Sequence, residues 1–308
     1  MNKKATLSDY IILLRPTLFV PVWTVFLIGH WFSKTRFDLL SLLSILLYTL
    51  MMGGVYILNQ IVDIESDREN RKLFLLPDGI ISKNKAFLLM FILFGTTIPA
   101  SFAVNPTFGI LFILSAIMGV LYSLPPFQLK ARPFLDMLSN GVGYGMLAFL
   151  SGYTIHKPLN SLVLLQTLPY FFAVSAVFVN TTIPDIPGDK KAGKKTTGVL
   201  LGKRITLISG VLLDVISLVL SILFKDIICG IAATVSLPFF VIALVKPTKK
   251  NILFSIRLTA PALTIISAVL YPGLVLLLLV IYFGQKAYYK RRFNLNYPSI
   301  TSGIDSDF

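Results

Sequence analysis

Two clusters of carboxylates carry the chemistry available to this sequence. Asn59, Asp63 and Asp67 are spaced i, i+4, i+8. On a helix each step of four residues returns to within about 40° of the same face, so the three side chains line one stripe. Asp185 and Asp189 repeat the i, i+4 spacing, although Pro187 and Gly188 between them predict an irregular helix. Basic residues, a glycine and a hydroxyl follow each cluster: Arg68, Arg71, Lys72, Gly79 and Ser82 in one, Lys190, Lys191, Gly193, Thr196 and Thr197 in the other. That parallel suggests an internal two-fold repeat. Hard oxygen ligands select Mg2+ or Mn2+. Mg2+ keeps several waters and takes one or two carboxylates plus phosphate oxygens. Two facing carboxylate pairs could therefore hold metals around one diphosphate, with nearby Lys and Arg neutralising the remaining phosphate charge.

The elements that must position these clusters follow from composition. Charged residues make up only 14% of the 308-residue chain, against roughly a quarter in soluble domains, and mean hydropathy is +0.79. A soluble globular enzyme and a disordered chain are both excluded, and a multi-pass membrane protein is indicated. The net charge of +14 does not point to nucleic acid, because the basic residues gather in short segments between apolar runs. About 20 apolar residues cross a bilayer as a helix. Candidate spans lie at 12–32, 39–62, 86–104, 108–124, 134–155, 161–183, 205–224, 226–245 and 263–285, nine in all. The expected fold is thus an all-α, polytopic membrane helical bundle forming one domain over 1–308, with its core at about 10–285 and a basic polar tail at 286–308.

With the N-terminus inside, 20 basic residues fall on the cytoplasmic side and 4 on the other, leaving aside the tail. Positive charge prefers the cytoplasm, so this orientation is expected, with the first span retained and not cleaved as a signal peptide. Four crossings separate the two aspartate clusters, which puts both on the same, basic face. Only the tail dissents. Lys286, Lys290, Arg291 and Arg292 fall outside unless 252–285 is split at Pro261 or Pro272 into two crossings. Cys229 is alone and excludes an internal disulfide or cysteine-based zinc site. His30 and His156, near the ends of apolar runs, read as interfacial residues. Asp136 begins the fifth span and could face an acceptor. Asp214 falls in the middle of the seventh, where it could pair with a neighbouring helix or face a cavity.

At these residues the chain resembles the UbiA superfamily of intramembrane prenyltransferases. Asn59, Asp63 and Asp67 match the N-x-x-x-D-x-x-x-D signature. Asp185, Gly188, Asp189, Gly193 and Thr196 match D-x-x-G-D with its following G-x-x-T. The stretch from Tyr122 through Pro125-Pro126 to Lys130 is similar to a Y-S-x-P-P-x-x-x-K element, and Arg15-Pro16 fits a further family feature. The match covers residues 10 to about 285. One departure stands out: Phe74-Leu75 occupies the place of an Arg-Pro pair common before the Gly-x-Ile-Ser that is here Gly79-Ile-Ile-Ser82.

The resemblance implies a bundle around a central cavity open to lipid. It implies Mg2+-assisted ionisation of an isoprenyl diphosphate and transfer of the prenyl chain to a lipophilic, aromatic or quinone-precursor acceptor. Asp63, Asp67, Asp185 and Asp189 would be the catalytic carboxylates and, with Asn59, the metal ligands. Arg15, Asn59, Arg68, Arg71, Tyr122, Lys130 and Lys190 would bind substrate. Tyr56, Tyr122, Tyr144, Phe171 and Phe172 are candidates to shield the carbocation. A carotenoid or glyceryl-lipid acceptor is an alternative. A transporter or channel is a rival reading, but transporters tend to place their charges at the midplane, whereas these acids sit at one face. CDP-alcohol phosphotransferases are disfavoured because the D-G-x-x-A-R run they need is missing.

Overall fold

The computed structural model describes residues 4–69 and 74–298. Among them every regular element is helical. The helices are α1 (Leu7–Leu13), α2 (Phe19–Phe32), α3 (Leu39–Val62), α4 (Ile64–Glu69), α5 (Lys83–Phe102), α6 (Pro106–Ser123), α7 (Leu135–Asn140), α8 (Ala148–Thr154), α9 (Ser161–Gln166), α10 (Leu168–Lys191), α11 (Thr197–Leu223), α12 (Ile227–Val245), α13 (Lys249–Arg257), α14 (Ala260–Leu270) and α15 (Gly273–Phe293). Eight stretches are long and apolar enough to cross a membrane. A further helical stretch, Leu135–Thr154, joins α7 to α8 through a π-helical segment at Gly141–Leu147.

Polar caps start the spans where the sequence leaves the apolar runs. Side chains of Asp38, Ser82, Asn105, Asn160, Asp226 and Thr248 each accept a hydrogen bond from the backbone N–H three residues on. Those N–H groups have no partner inside the helix, so a short oxygen-bearing side chain at the membrane boundary satisfies them.

Small residues allow the helices to close on one another without a hydrophobic drive between them. The tightest approach is α2 on α8. A Cβ on Gly29 would lie 1.9 Å from the Phe149 carbonyl oxygen, and one on Gly152 the same distance from that of Phe26. Phe26, Tyr48, Phe108, Phe112, Phe149 and Tyr170 fill the central core beside this contact.

Several boundaries differ from the sequence expectation. The first span is broken at Arg15, whose φ of 56° ends α1 before a short 3-10 turn leads into α2. The helix carrying Asp185 and Asp189 is continuous from Leu168 to Lys191 despite Pro184 and Pro187. Both prolines fall in its final turns, near the membrane face, where water can satisfy the freed carbonyls. The polar segment expected at 184–204 is therefore mostly helix, with a turn at 192–196. Gly202, at φ 71°, kinks the start of α11.

The span expected at 263–285 is two helices that reverse at Tyr271–Pro272. Tyr271 Oη lies 2.7 Å from His30 Nδ1, at the end of the first span. Its level is therefore the face opposite the N-terminus. Helix α15 then runs back. Tyr288 Oη donates to Asp9 Oδ1 at 2.5 Å, and Arg292 Nη2 donates to Asp9 Oδ2 at 2.9 Å. The basic residues 286–292 thus lie toward the N-terminal face, which removes the dissent in the charge pattern. The two histidines are more than interfacial fillers. His30 Nε2 and His156 Nε2 lie 3.0 and 2.9 Å from Ser41 Oγ, which donates to Asp38 Oδ1. This cluster ties α2, α3 and the turn after α8 together.

Candidate active site

Helix α3 delivers the first cluster to the membrane face. Asn59 is in its last turn, Asp63 is its C-cap, and Asp67 lies on α4, where its N–H donates to the Asp63 carbonyl at 2.7 Å. The stripe expected from the spacing is thus bent at Asp63. Asn59 Nδ2 donates to Ser123 Oγ at 3.3 Å, which links the cluster to the end of α6. The segment after α6 turns back over the site. Lys130, in a short 3-10 turn, places its ammonium on Asp63 and donates to Oδ1 and Oδ2 at 2.6 and 2.5 Å. Burial pulls the Lys130 pKa below the ordinary lysine range, and the Asp63 charge pulls it back up.

The second cluster stands on the last turns of α10. Asp189 accepts a hydrogen bond from Thr196 Oγ1 at 3.1 Å, and Lys194 Nζ lies 3.7 Å from its other oxygen. Asp185 is exposed on the same helix. The two clusters meet electrostatically: Lys130 lies in the field of Asp63, Asp67 and Lys194, and Lys194 is the residue paired with Asp189.

Asp136, which the sequence left as a possible acceptor contact, is instead a clamp between these parts. Its carboxylate accepts from the Thr197 N–H at 2.6 Å, from Thr197 Oγ1 at 2.5 Å and from the Met137 N–H at 2.8 Å. It is 5% exposed. It fixes the start of α11 against α7, and so fixes the turn that carries Lys194 and Thr196. Lys194 escaped the sequence reading because it looks like one more lysine in a basic run. The G-x-x-T element at Gly193 and Thr196 was the signal beside it.

Other expected contacts fall differently. Arg68 Nε donates to the Pro77 carbonyl at 3.0 Å, so it braces the turn at 74–79. Lys190 is exposed in the final turn of α10. Arg71, and Lys72 beside it, lie outside the described residues. Phe74, where an Arg-Pro pair is common, packs its ring 5.2 Å from that of Phe293 at the end of α15. The returning helix thus covers that place with an apolar contact.

A cavity of about 200 Å³ reaches Asn59 of the first cluster, and its lining also includes Arg15, Tyr56, Tyr122, Tyr144 and Phe178. Three of the five aromatic residues expected to shield a cation are here. Phe171 packs against Gly141 instead, with Phe172 edge-on to it. Phe178 was missed and stacks on Tyr144 at 5.7 Å and 17°. The π-helical turn sets Tyr144 in this wall, consistent with such bulges marking functional sites.

Among the described residues no three acidic, histidine or cysteine side chains converge on one point. The donor set still fits Mg2+, which needs only one or two carboxylates when a diphosphate supplies further oxygens. Lys130 holds a positive charge on both oxygens of Asp63.

A model of the UbiA prenyltransferase family matches residues 18–251. Digeranylgeranylglyceryl phosphate synthase of Methanosphaera stadtmanae is 29% identical over 70% of this chain and 77% of its own length. The 2-acyl-4-prenylphloroglucinol 6-prenyltransferase of Humulus lupulus is 30% identical, over 55% of this chain and 43% of its own. Among solved structures, a UbiA homolog from Archaeoglobus fulgidus bound to GPP and Mg2+ superposes with a TM-score of 0.66 at 22% identity, covering 84% of this chain and 98% of that one. The bundle, the paired aspartate motifs on one face and the family match lead to one assignment: this chain belongs to the UbiA prenyltransferase family.

Proposed function

We propose that this protein transfers a prenyl group from an allylic isoprenyl diphosphate to a lipophilic acceptor, using the Asp63–Lys130 centre and the Asp185–Asp189 motif at the cytoplasmic face. The observation that carries the reading is the bidentate Lys130–Asp63 pair, one helical turn beyond Asn59 in the wall of an aromatic cavity, with Lys130 also in the field of Lys194, the partner of Asp189. Mg2+, when bound by Asp63, Asp67, Asp185 and Asp189 with Asn59 beside them, supplies positive charge that makes diphosphate a better leaving group.

The remaining steps fall to the chain's own residues. Lys130 and Lys194 neutralise phosphate oxygens as the allylic C–O bond breaks and its electron pair leaves with the diphosphate. Tyr56, Tyr122, Tyr144 and Phe178 turn ring faces toward the cationic prenyl fragment and keep water from it. A nucleophilic atom of the acceptor then bonds to that carbon and gives up its proton. The cytoplasmic assignment rests on charge: with α15 returning to the N-terminal face, the sequence assigns 24 basic residues to that side against 4 to the other.

The test is incubation of the purified protein in lipid with labelled prenyl diphosphates of several lengths and a panel of aromatic and glyceryl acceptors, with and without EDTA. Mass spectrometry should detect a prenylated product that EDTA abolishes. Turnover unaffected by EDTA refutes the metal role, and no product from any donor refutes the transfer.

A further inference from the structure

A second cavity, of about 430 Å³, lies beside the first. Its wall is drawn from α2, α10, α11, α12, α14 and the end of α13. Tyr144 and Phe178 line both cavities, so their stacked rings form the partition between the two. Most of the wall is apolar, as a lipophilic ligand requires. Val20, Ala173, Val177, Ala232 and Leu263 are typical of it.

Two charged groups depart from that apolar lining, Arg257 at the end of α13 and Asp214. Asp214 sits mid-span in α11, is 2% exposed, and lines this cavity. Its Oδ2 is buried and has no hydrogen-bond partner among the described residues. Of the other hydroxyls lining the cavity, Thr24 Oγ1 donates to the Val20 carbonyl and lies 3.0 Å from Thr264 Oγ1, and Thr259 Oγ1 donates to the Ser255 carbonyl. A carboxyl oxygen buried in a bilayer without a partner is costly. A ligand bearing an O–H or N–H would satisfy it.

Helix registration places this group relative to the chemistry. Gly210 packs against Asn180. Asp214 is four residues beyond Gly210, and Asp185 is five residues from Asn180 on the other side. At 1.5 Å per residue Asp214 lies roughly 13 Å along the bundle from Asp185. It is thus too deep to touch the carbon that leaves the diphosphate.

We propose that this second cavity holds the acceptor and that Asp214 is its specificity-determining residue, accepting a hydrogen bond from a hydroxyl on an apolar body at a point distinct from the reacting atom. The acceptor so selected is a lipophilic molecule with two functional points: a nucleophilic centre near the Tyr144–Phe178 partition and a hydrogen-bond donor several ångströms deeper. The assignment rests on the transfer reading above, which identifies the first cavity with the donor.

The experiment measures equilibrium binding of 4-octylphenol and its methyl ether to the full-length protein in nanodiscs, alongside binding of geranyl diphosphate with Mg2+. Wild type should prefer the phenol at least tenfold. Asp214→Leu should bind both probes alike while its affinity for the diphosphate stays within twofold. Asp214→Asn, whose carbonyl oxygen still accepts, should keep part of the preference. Ala233→Phe, which fills the cavity from α12, should lose the phenol without losing the diphosphate. Equal affinities for phenol and ether in wild type, or a preference that survives in Asp214→Leu, overturn the proposal. Failure of geranyl diphosphate to bind wild type refutes the transfer reading separately, because the phenol-to-ether ratio does not depend on the donor.

Discussion

Replacing Lys130 with Met keeps the length of the side chain and removes its charge. In the structure the ammonium bridges both oxygens of Asp63 at 2.6 and 2.5 Å, with side chains 12% and 26% exposed. A cation arriving at Asp63 must displace it. A hydrogen bond to a charged group contributes about 1.5–3 kcal/mol, and every 1.4 kcal/mol is about a factor of ten. Asp63 is partly solvated, so the lower end applies to the displacement. Lys130→Met should then bind Mg2+ alone about tenfold more tightly than wild type. In the proposed mechanism the displaced ammonium also meets the diphosphate. Its loss should weaken a non-hydrolysable donor analogue at saturating Mg2+ by about 10- to 100-fold, from the same range. The two affinities therefore move in opposite directions. Calorimetric titration in nanodiscs, first with Mg2+ and then with the analogue, measures both. Unchanged Mg2+ affinity would mean that Lys130 does not hold the cation's place. An unchanged donor affinity would mean that it never reaches the phosphate.

Asp63→Asn and Asp185→Asn should each lower transfer more than about 100-fold, since loss of a preorganised charge costs that order, while the protein stays folded and inserted; near-normal turnover would remove these residues from the mechanism. Asp136→Ala strands the Thr197 N–H and should cost about 1–3 kcal/mol of stability, read as a lower melting temperature; an unchanged melt would show that the clamp at the start of α11 is not needed. Cysteines at the exposed Ser82 and Lys195, in a Cys229→Ala background, should react alike with an impermeant thiol reagent from the cytoplasmic side, and one at Lys225 from the other; opposite labelling of the first two would break the joint site. Lys130 has its pKa lowered by burial, so its charge is lost at a lower pH than that of a free lysine. Donor affinity should fall as pH rises through that lowered value, and Lys130→Arg, which stays charged, should flatten the decline; an equal decline in both would assign it to another group.

Much of this protein is legible in its sequence because a bilayer leaves few choices. Backbone polar groups in lipid must be satisfied within the segment, so long apolar runs become helices. Spans could be counted, and four crossings between the aspartate clusters placed both on one face. The i, i+4 spacing and the type of residue were enough to propose a metal-and-diphosphate site, since few side chains offer hard oxygens. Charge bias gave an expected orientation, and its one inconsistency, the basic tail, marked where a turn was missing. That turn is at Tyr271–Pro272, and the Asp9 contacts of Tyr288 and Arg292 are what reveal it.

What the sequence could not decide depends on which helix faces meet. Asp136 and Asp214 are both single acids in apolar surroundings, and nothing local separates them. Packing puts the first against a Thr197 amide and leaves the second facing an apolar cavity. Lys194 becomes part of the site only because the Asp136 clamp sets the turn that carries it. Phe178 was one aromatic among 24 phenylalanines until the π-helical turn brought Tyr144 onto its ring. Periodicity fixes which residues share a face, but the partner of that face is chosen by close packing across the bundle, and that choice exists only in three dimensions.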